Sequence, residues 1–192
     1  MRTFILFARK AKTSPEFNIE DLPSSGGRMD LVARCISSAI FISYAIRKDT
    51  RIFIVLNGPP DPPITICFDG QITNVSPDER SIALWIQKVL SLKIDKGWKR
   101  TRNGILIARK SFQELIKELA KDSSFYILHE KGKKTKKIKK NPVFIIGDHL
   151  DLLPKEKKFA LRYGEKLSLG KTSYLASSCI SILHWVCDRE RV

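Results

Sequence analysis

The run Arg51-Ile52-Phe53-Ile54-Val55-Leu56 constrains the fold more than any other stretch. Five consecutive apolar residues, three of them β-branched, have no polar face to show water. They read as a strand buried on both sides. Such a strand needs covering layers above and below, and the rest of the chain supplies them. The run stops at Asn57-Gly58-Pro59-Pro60-Asp61-Pro62-Pro63, where four prolines forbid regular structure. Further short apolar runs, read as strands, lie at residues 3–7, 64–68, 104–108, 125–129 and 143–146, with another short run through Leu167. Helical spacing fills the intervals. In residues 27–46, Leu31, Cys35, Ala39 and Ser43 recur every fourth residue beside Val32, Ile36 and Ile40. Ser76-Pro77-Asp78-Glu79 reads as a helix start, with Ser76 as cap and Pro77 in the first turn. Ser111 and Glu114 have capping-box spacing. A short helix is expected near Pro154 and a last one over residues 173–188, while residues 12–25, with Pro15 and Pro23, read as a loop. Alternating strands and helices predict an α/β fold, a largely parallel sheet flanked by helices. With 192 residues, one domain over 1–192 is expected.

The charge narrows the partners. Thirty-five Lys and Arg against 20 acids give a net +15, a field that favours polyanions, nucleic acid first. A basic loop at residues 131–140 holds seven lysines and no acid, which leaves +8 on the remainder. No apolar run reaches the length of a bilayer span, and Met1-Arg2-Thr3-Phe4-Ile5-Leu6-Phe7 lacks the features of a signal peptide. Neither a membrane nor a secreted protein is expected. Cys35, Cys67, Cys179 and Cys187 form no CxxC pair and have no His at zinc spacing. They fit a reducing cytoplasmic setting and no metal. There is no Walker A loop, since Gly170-Lys171-Thr172 is preceded by Glu165 where the first glycine belongs, and no GxGxxG or GxSxG.

In a parallel sheet, ligands gather beyond the carboxyl ends of the strands. Four turn-rich segments follow strands here: residues 57–63, 129–131, 147–149 and 168–171. Three late segments are punctuated by glycine or a turn: Tyr126-Ile127-Leu128-His129-Glu130, Phe144-Ile145-Ile146-Gly147-Asp148-His149 and Leu167-Ser168-Leu169-Gly170-Lys171-Thr172-Ser173-Tyr174-Leu175. Together they resemble the cofactor half of the SPOUT superfamily of RNA methyltransferases. Met1-Arg2-Thr3-Phe4, Asp21-Leu22-Pro23, Gly27-Arg28-Met29-Asp30-Leu31, residues 58–63 and Ser76-Pro77-Asp78-Glu79-Arg80 sharpen the match: in this order they resemble the archaeal TrmY family. The resemblance runs from Met1 to about Asp188 and departs mainly at the lysine loop, where the family varies.

The resemblance implies an S-adenosylmethionine-dependent enzyme that methylates N1 of pseudouridine 54 in the T-loop of tRNA. It also implies a C-terminal trefoil knot over about residues 125–188, with the cofactor bound bent inside it, and a homodimer. On that reading Leu128, Gly147, Leu167, Ser168, Leu169 and Gly170 wall the cofactor pocket, glycine letting main chain approach a ligand closely, and Cys179 closes it. Asp61, in its stiff proline-flanked loop, contacts the target base, and Arg28 binds the base edge or RNA phosphate. Arg2, Arg9, Lys10, Lys12 and the lysine loop are expected phosphate contacts. Two alternatives stay open at this point: a pseudouridine in ribosomal RNA as substrate, or a non-catalytic basic RNA-binding or ribosome-assembly protein.

Overall fold

The computed structural model describes residues 1–134 and 137–189. Lys136, within the lysine loop, lies outside the described residues. Ten strands and five helices are present among them. In chain order they are β1 (Arg2–Ala8), α1 (Met29–Ile40), β2 (Phe41–Ile42), β3 (Ala45–Ile46), β4 (Thr50–Leu56), β5 (Ile64–Asp69), α2 (Glu79–Leu90), β6 (Lys99–Arg100), β7 (Leu106–Ala108), α3 (Phe112–Leu119), β8 (Ser124–Lys133), β9 (Pro142–Gly147), α4 (Pro154–Ala160), β10 (Gly164–Leu167) and α5 (Ala176–Arg189).

Eight strands form one sheet in the order β10-β8-β9-β1-β4-β5-β7-β6, and β2 pairs with β3 as a separate hairpin. The run 51–56 lies in β4, inside the sheet, as its apolar content demands. β10, β8, β9, β1 and β4 are mutually parallel, so the expectation of a largely parallel sheet holds there. From β4 onward the pairing turns antiparallel. The cause is length: seven residues join β4 to β5, too few for the helical crossover that a parallel neighbour requires.

Each central strand feeds both layers of core. Phe4, Leu6, Ile52, Ile54, Phe144 and Ile146 point into a cluster with residues of α1, α2 and α5. Ile5, Phe7, Phe53, Val55, Val143 and Ile145 point the other way, toward α3 and α4. The period of two along β1, β4 and β9 thus makes a three-layer fold.

Three expectations about helices are corrected. α1 ends at Ile40, and residues 41–46 become the hairpin, with Tyr44 in left-handed backbone at the turn. α2 is capped by Asp78, whose side chain accepts from the Ser81 N–H (2.8 Å), not by Ser76. α5 starts at Ala176 instead of residue 173. No described helix is long and apolar enough to cross a membrane.

Candidate active site

The carboxyl ends of β8, β9 and β10 open onto a cavity of about 580 Å³, within the range of small-molecule sites. β10 follows β8 in register as far as Lys166 opposite Ile127; then Leu167 pairs with Lys133. Residues 128–132 therefore bulge from the ladder, and the bulge presents Leu128, His129 and Glu130 to the cavity. β9 ends at Gly147 and supplies Ile146, Gly147 and Asp148. β10 supplies Leu167, the turn after it Leu169 and Gly170, and α5 Cys179. Arg28, Leu31 and Arg34 line the side next to α1.

Six of the seven expected cofactor residues thus meet on one wall. The seventh, Ser168, is buried just behind it. Its hydroxyl lies 3.0 Å from both the Glu130 and Gly170 carbonyls and accepts from the Gly170 N–H (3.1 Å), tying the β8 bulge to the β10 turn. Gly170 adopts φ +131°, a backbone few side chains tolerate, and nothing lies within 4 Å of where its Cβ would stand. Gly147 is required for a different reason: a Cβ there would come within 2.7 Å of the Asp151 main chain.

Arg28 sits at the N-cap of α1 with φ 71°. Its Nε and Nη2 donate to the two oxygens of Asp30 at 2.9 and 3.0 Å, and Arg34 adds a 2.6 Å bond to the same carboxylate. Burial pushes the Asp30 carboxyl up, yet the two guanidiniums outweigh it and hold it down at about 2. Two permanent cations are thereby fixed at the cavity. The buried Asp148 carboxylate, near enough to Arg28 to act on its charge, accepts the N–H groups of Arg9 (2.7 Å) and Leu150 (2.9 Å), which anchors the β9 turn to the end of β1. Ser173 donates to Glu130. His129 takes the Lys131 N–H on Nδ1 (3.0 Å), and burial together with Lys157 and Lys166 lowers its pKa, favouring the neutral ring. Burial also raises the Cys179 thiol, keeping it protonated.

Other expected residues are placed elsewhere. Asp61 does not line the cavity. Its carboxylate is exposed and paired with Arg109 at 2.6 Å, and its N–H donates to Thr13 Oγ1 (2.9 Å). Thr13 is bonded in turn to Gly58 and Pro59, and Lys12 N–H to Gly26, so residues 10–13 join the Asp61 loop to the segment that precedes Arg28. Arg9 reaches the cavity rim, donating to the Leu150 carbonyl (2.9 Å). Lys10 is exposed, and Lys12 is held by the Glu16 carbonyl (2.8 Å).

Arg2 is a correction. Its side chain is 1% exposed, so it presents no face to RNA phosphate. It donates to Asp188 (2.7 Å) and to His184 Nδ1 (2.6 Å), whose Nε2 donates to the Ala39 carbonyl (3.0 Å). Arg2 locks β1, α1 and α5 together.

The sequence reading also missed residues. Arg34 lies one turn after Asp30, and i,i+4 spacing from an acid was the available signal. Glu130 and Tyr174 lay inside quoted segments, but nothing local marked their side chains. No group of three or more His, Cys, Asp or Glu side chains placed to hold a metal occurs among the described residues.

The family described as "Putative SAM-dependent RNA methyltransferase" matches residues 1–192. The chain is 41% identical over 203 residues to a tRNA (pseudouridine(54)-N(1))-methyltransferase of Methanococcus aeolicus, covering 100% of both chains. It is 40% identical to the protein of the same name in Thermococcus kodakarensis, covering 96% of this chain and 97% of that one. Among solved structures, Archaeoglobus fulgidus Nep1 bound to S-adenosylhomocysteine superposes with a TM-score of 0.71 at 13% identity, covering 99% and 98% of the two chains. At that identity the likeness concerns the fold alone, an α/β architecture.

Proposed function

Since this chain belongs to the SAM-dependent RNA methyltransferase family, we propose that it acts as its full-length relatives are named. It transfers a methyl group from S-adenosylmethionine to N1 of pseudouridine 54 in tRNA. The cavity beyond the parallel strands carries this reading. It joins an apolar wall to open main chain at Gly170, a slot suited to a purine nucleoside, and two fixed cations also line it. Leu128, Ile146, Leu167 and Leu169 would hold the cofactor's apolar surfaces, Gly147 and Gly170 its polar edges through main chain, and Cys179 would close the pocket. When bound, the cofactor supplies an electrophilic methyl on a sulfonium.

The chain's residues do the remaining work by orientation and charge. N1 of pseudouridine carries a proton that must leave, and negative charge then spreads to the base oxygens. Arg28, fixed by Asp30, stabilises that charge at the cavity. Asp61, on the neighbouring loop, would orient the base, and water takes the N1 proton. The target base leaves its stack to reach the methyl group. Arg9, Lys10 and Lys12 contact phosphates around this entrance.

The segment after β10, tied to the β8 bulge through Ser168 and running into α5 over α1, would be threaded as a trefoil knot. Tyr174, Leu175 and Trp185 are large apolar side chains left exposed on this segment, and we read them as the face that joins two chains. A tRNA substrate and four free cysteines fit the cytoplasm.

The test is incubation with labelled cofactor and two T-arm hairpins, one bearing uridine and one pseudouridine at the target position. Label should enter only the pseudouridine RNA, at N1. Transfer to neither RNA, or equal transfer to both, overturns the reading.

A further inference from the structure

The net charge of this chain is concentrated in two segments. Residues 131–140 carry +7 and residues 91–110 carry +6, so the other 162 residues together hold only +2. The first segment extends and follows β8, near one edge of the sheet. The second contains β6, the last strand at the opposite edge. Of the seven cations in residues 91–110, three are spent on partners: Arg100 on Asp69 (3.1 Å), Arg109 on Asp61 (2.6 Å) and Lys110 on Glu118 (2.6 Å). The other four, Lys93, Lys96, Lys99 and Arg102, are exposed and form no ion pair within 4 Å among the described residues. An edge strand needs a charge or two to resist pairing with another sheet. β6 is two residues long, and three of these four cations lie outside it, so edge protection does not account for them.

Register places Lys99 relative to the cavity. Lys99 is opposite Ile107, Ile107 opposite Ile66, Ile66 opposite Ile54, Ile54 opposite Leu6, and Leu6 opposite Ile146. Ile146 lines the cavity. Lys99 therefore stands on the same cross-strand row, five strand spacings away, or roughly 24 Å. The Asp61 loop lies between them in the sheet order and touches the patch through Arg109.

We propose that Lys93, Lys96, Lys99 and Arg102 form a second RNA-docking surface, which binds phosphates of the helical stem stacked on the T-arm while the target base occupies the cavity. This rests on the methyltransferase reading for what fills the cavity. Spacing separates the roles: at ~24 Å, Lys99 meets stem backbone and no base of the T-loop, so it positions the substrate and leaves the chemistry alone.

The test compares wild type, the combined variant K93Q/K96Q/K99Q/R102Q, and the control K155Q/K158Q on exposed α4. Substrates are whole tRNA carrying pseudouridine 54 and a short T-loop hairpin with the same base. For whole tRNA the variant should show a KM at least about 10-fold higher with kcat within twofold. The slope of log affinity against log salt should be shallower by ~3, as expected for four lost phosphate contacts. Hairpin kinetics, cofactor affinity and melting temperature should match wild type, and the control should be unchanged throughout. Unaltered tRNA KM and salt slope in the variant, or an equal loss in the control, overturns the proposal. A wild type that methylates neither RNA would sink the methyltransferase reading instead, and direct tRNA binding by the variant would still decide the docking surface.

Discussion

At the scale of single residues, the site depends on groups held where solution chemistry would not leave them. Arg28 is extended toward the cavity from left-handed backbone because Asp30 grips it with both oxygens. Arg28→Gln should cut kcat by about 100-fold, the loss expected when a stabiliser of developing charge is removed. Cofactor affinity should stay within threefold by calorimetry, because the cofactor wall is built from other residues. Gly170→Val should do the reverse, since it fills the open space beside the nucleoside slot and strains φ +131°. It should weaken cofactor binding at least 10-fold. Both glycines were visible in the sequence, because a glycine just past an apolar run marks a strand end or a turn. Arg34 is marked only by its i,i+4 spacing from Asp30, and Glu130 by nothing local, because it reaches the cavity through a five-residue bulge. Arg2 misled for a related reason. An arginine near a chain end reads as solvent-exposed, whereas its partners His184 and Asp188 lie more than 180 residues away. That contact makes a pH prediction. Arg2 can only donate to His184 Nδ1, so a second ring proton has no acceptor, and burial with Arg47 and Arg2 lowers the His184 pKa to about 4 from 6.5. The unfolded chain takes up this proton first, so stability falls as pH drops from 6.5 toward 4. Urea unfolding at pH 7 and pH 5 should show the loss, and His184→Gln, which can still donate to Ala39 and accept from Arg2, should diminish it.

At the scale of elements, local signals located most helices and strands, and neighbouring chain decided the boundaries. α3 has the capping box its Ser111 and Glu114 spacing predicts, with the Ser111 side chain accepting the Glu114 N–H. Ser111→Ala should cost about 1 kcal/mol in denaturant unfolding with no change in cofactor affinity, since α3 packs on the face away from the cavity. The end of α1 was harder to read. Residues 41–46 keep the apolar spacing of a helix, yet left-handed backbone at Tyr44 reverses the chain there, and Arg47 N–H closes the hairpin on the Ile40 carbonyl (2.8 Å). β6 was missed because a two-residue strand of Lys99 and Arg100 has no apolar pattern to find. The antiparallel half was legible in principle from the seven residues between β4 and β5, although the strand-helix alternation of the rest outweighed it.

At the scale of the whole molecule, the exposed apolar side chains of the C-terminal segment begin at the cavity. Tyr174 and Leu175 line the cavity and are 47% and 70% exposed, and Trp185, two to three turns further along α5, is 60% exposed under the Arg189 guanidinium. A lone chain would leave this ridge in water, at about 25 cal/mol for each Å² of apolar surface. A second copy laid against it would cover the ridge and shut one lip of the pocket together. On this account the wild type runs in light scattering at twice its 21.9 kDa chain mass. Leu175→Asp combined with Trp185→Asp places two carboxylates in a desolvated contact and should give a folded monomer. Because Leu175 also walls the cavity, that monomer should lose cofactor affinity and methyl transfer in parallel. Trp185→Asp alone, which leaves the cavity lining intact, separates the two effects. If it yields monomers that keep full cofactor affinity, the partner does not complete the pocket. If wild type itself is monomeric at micromolar concentration, the ridge is not the dimer contact.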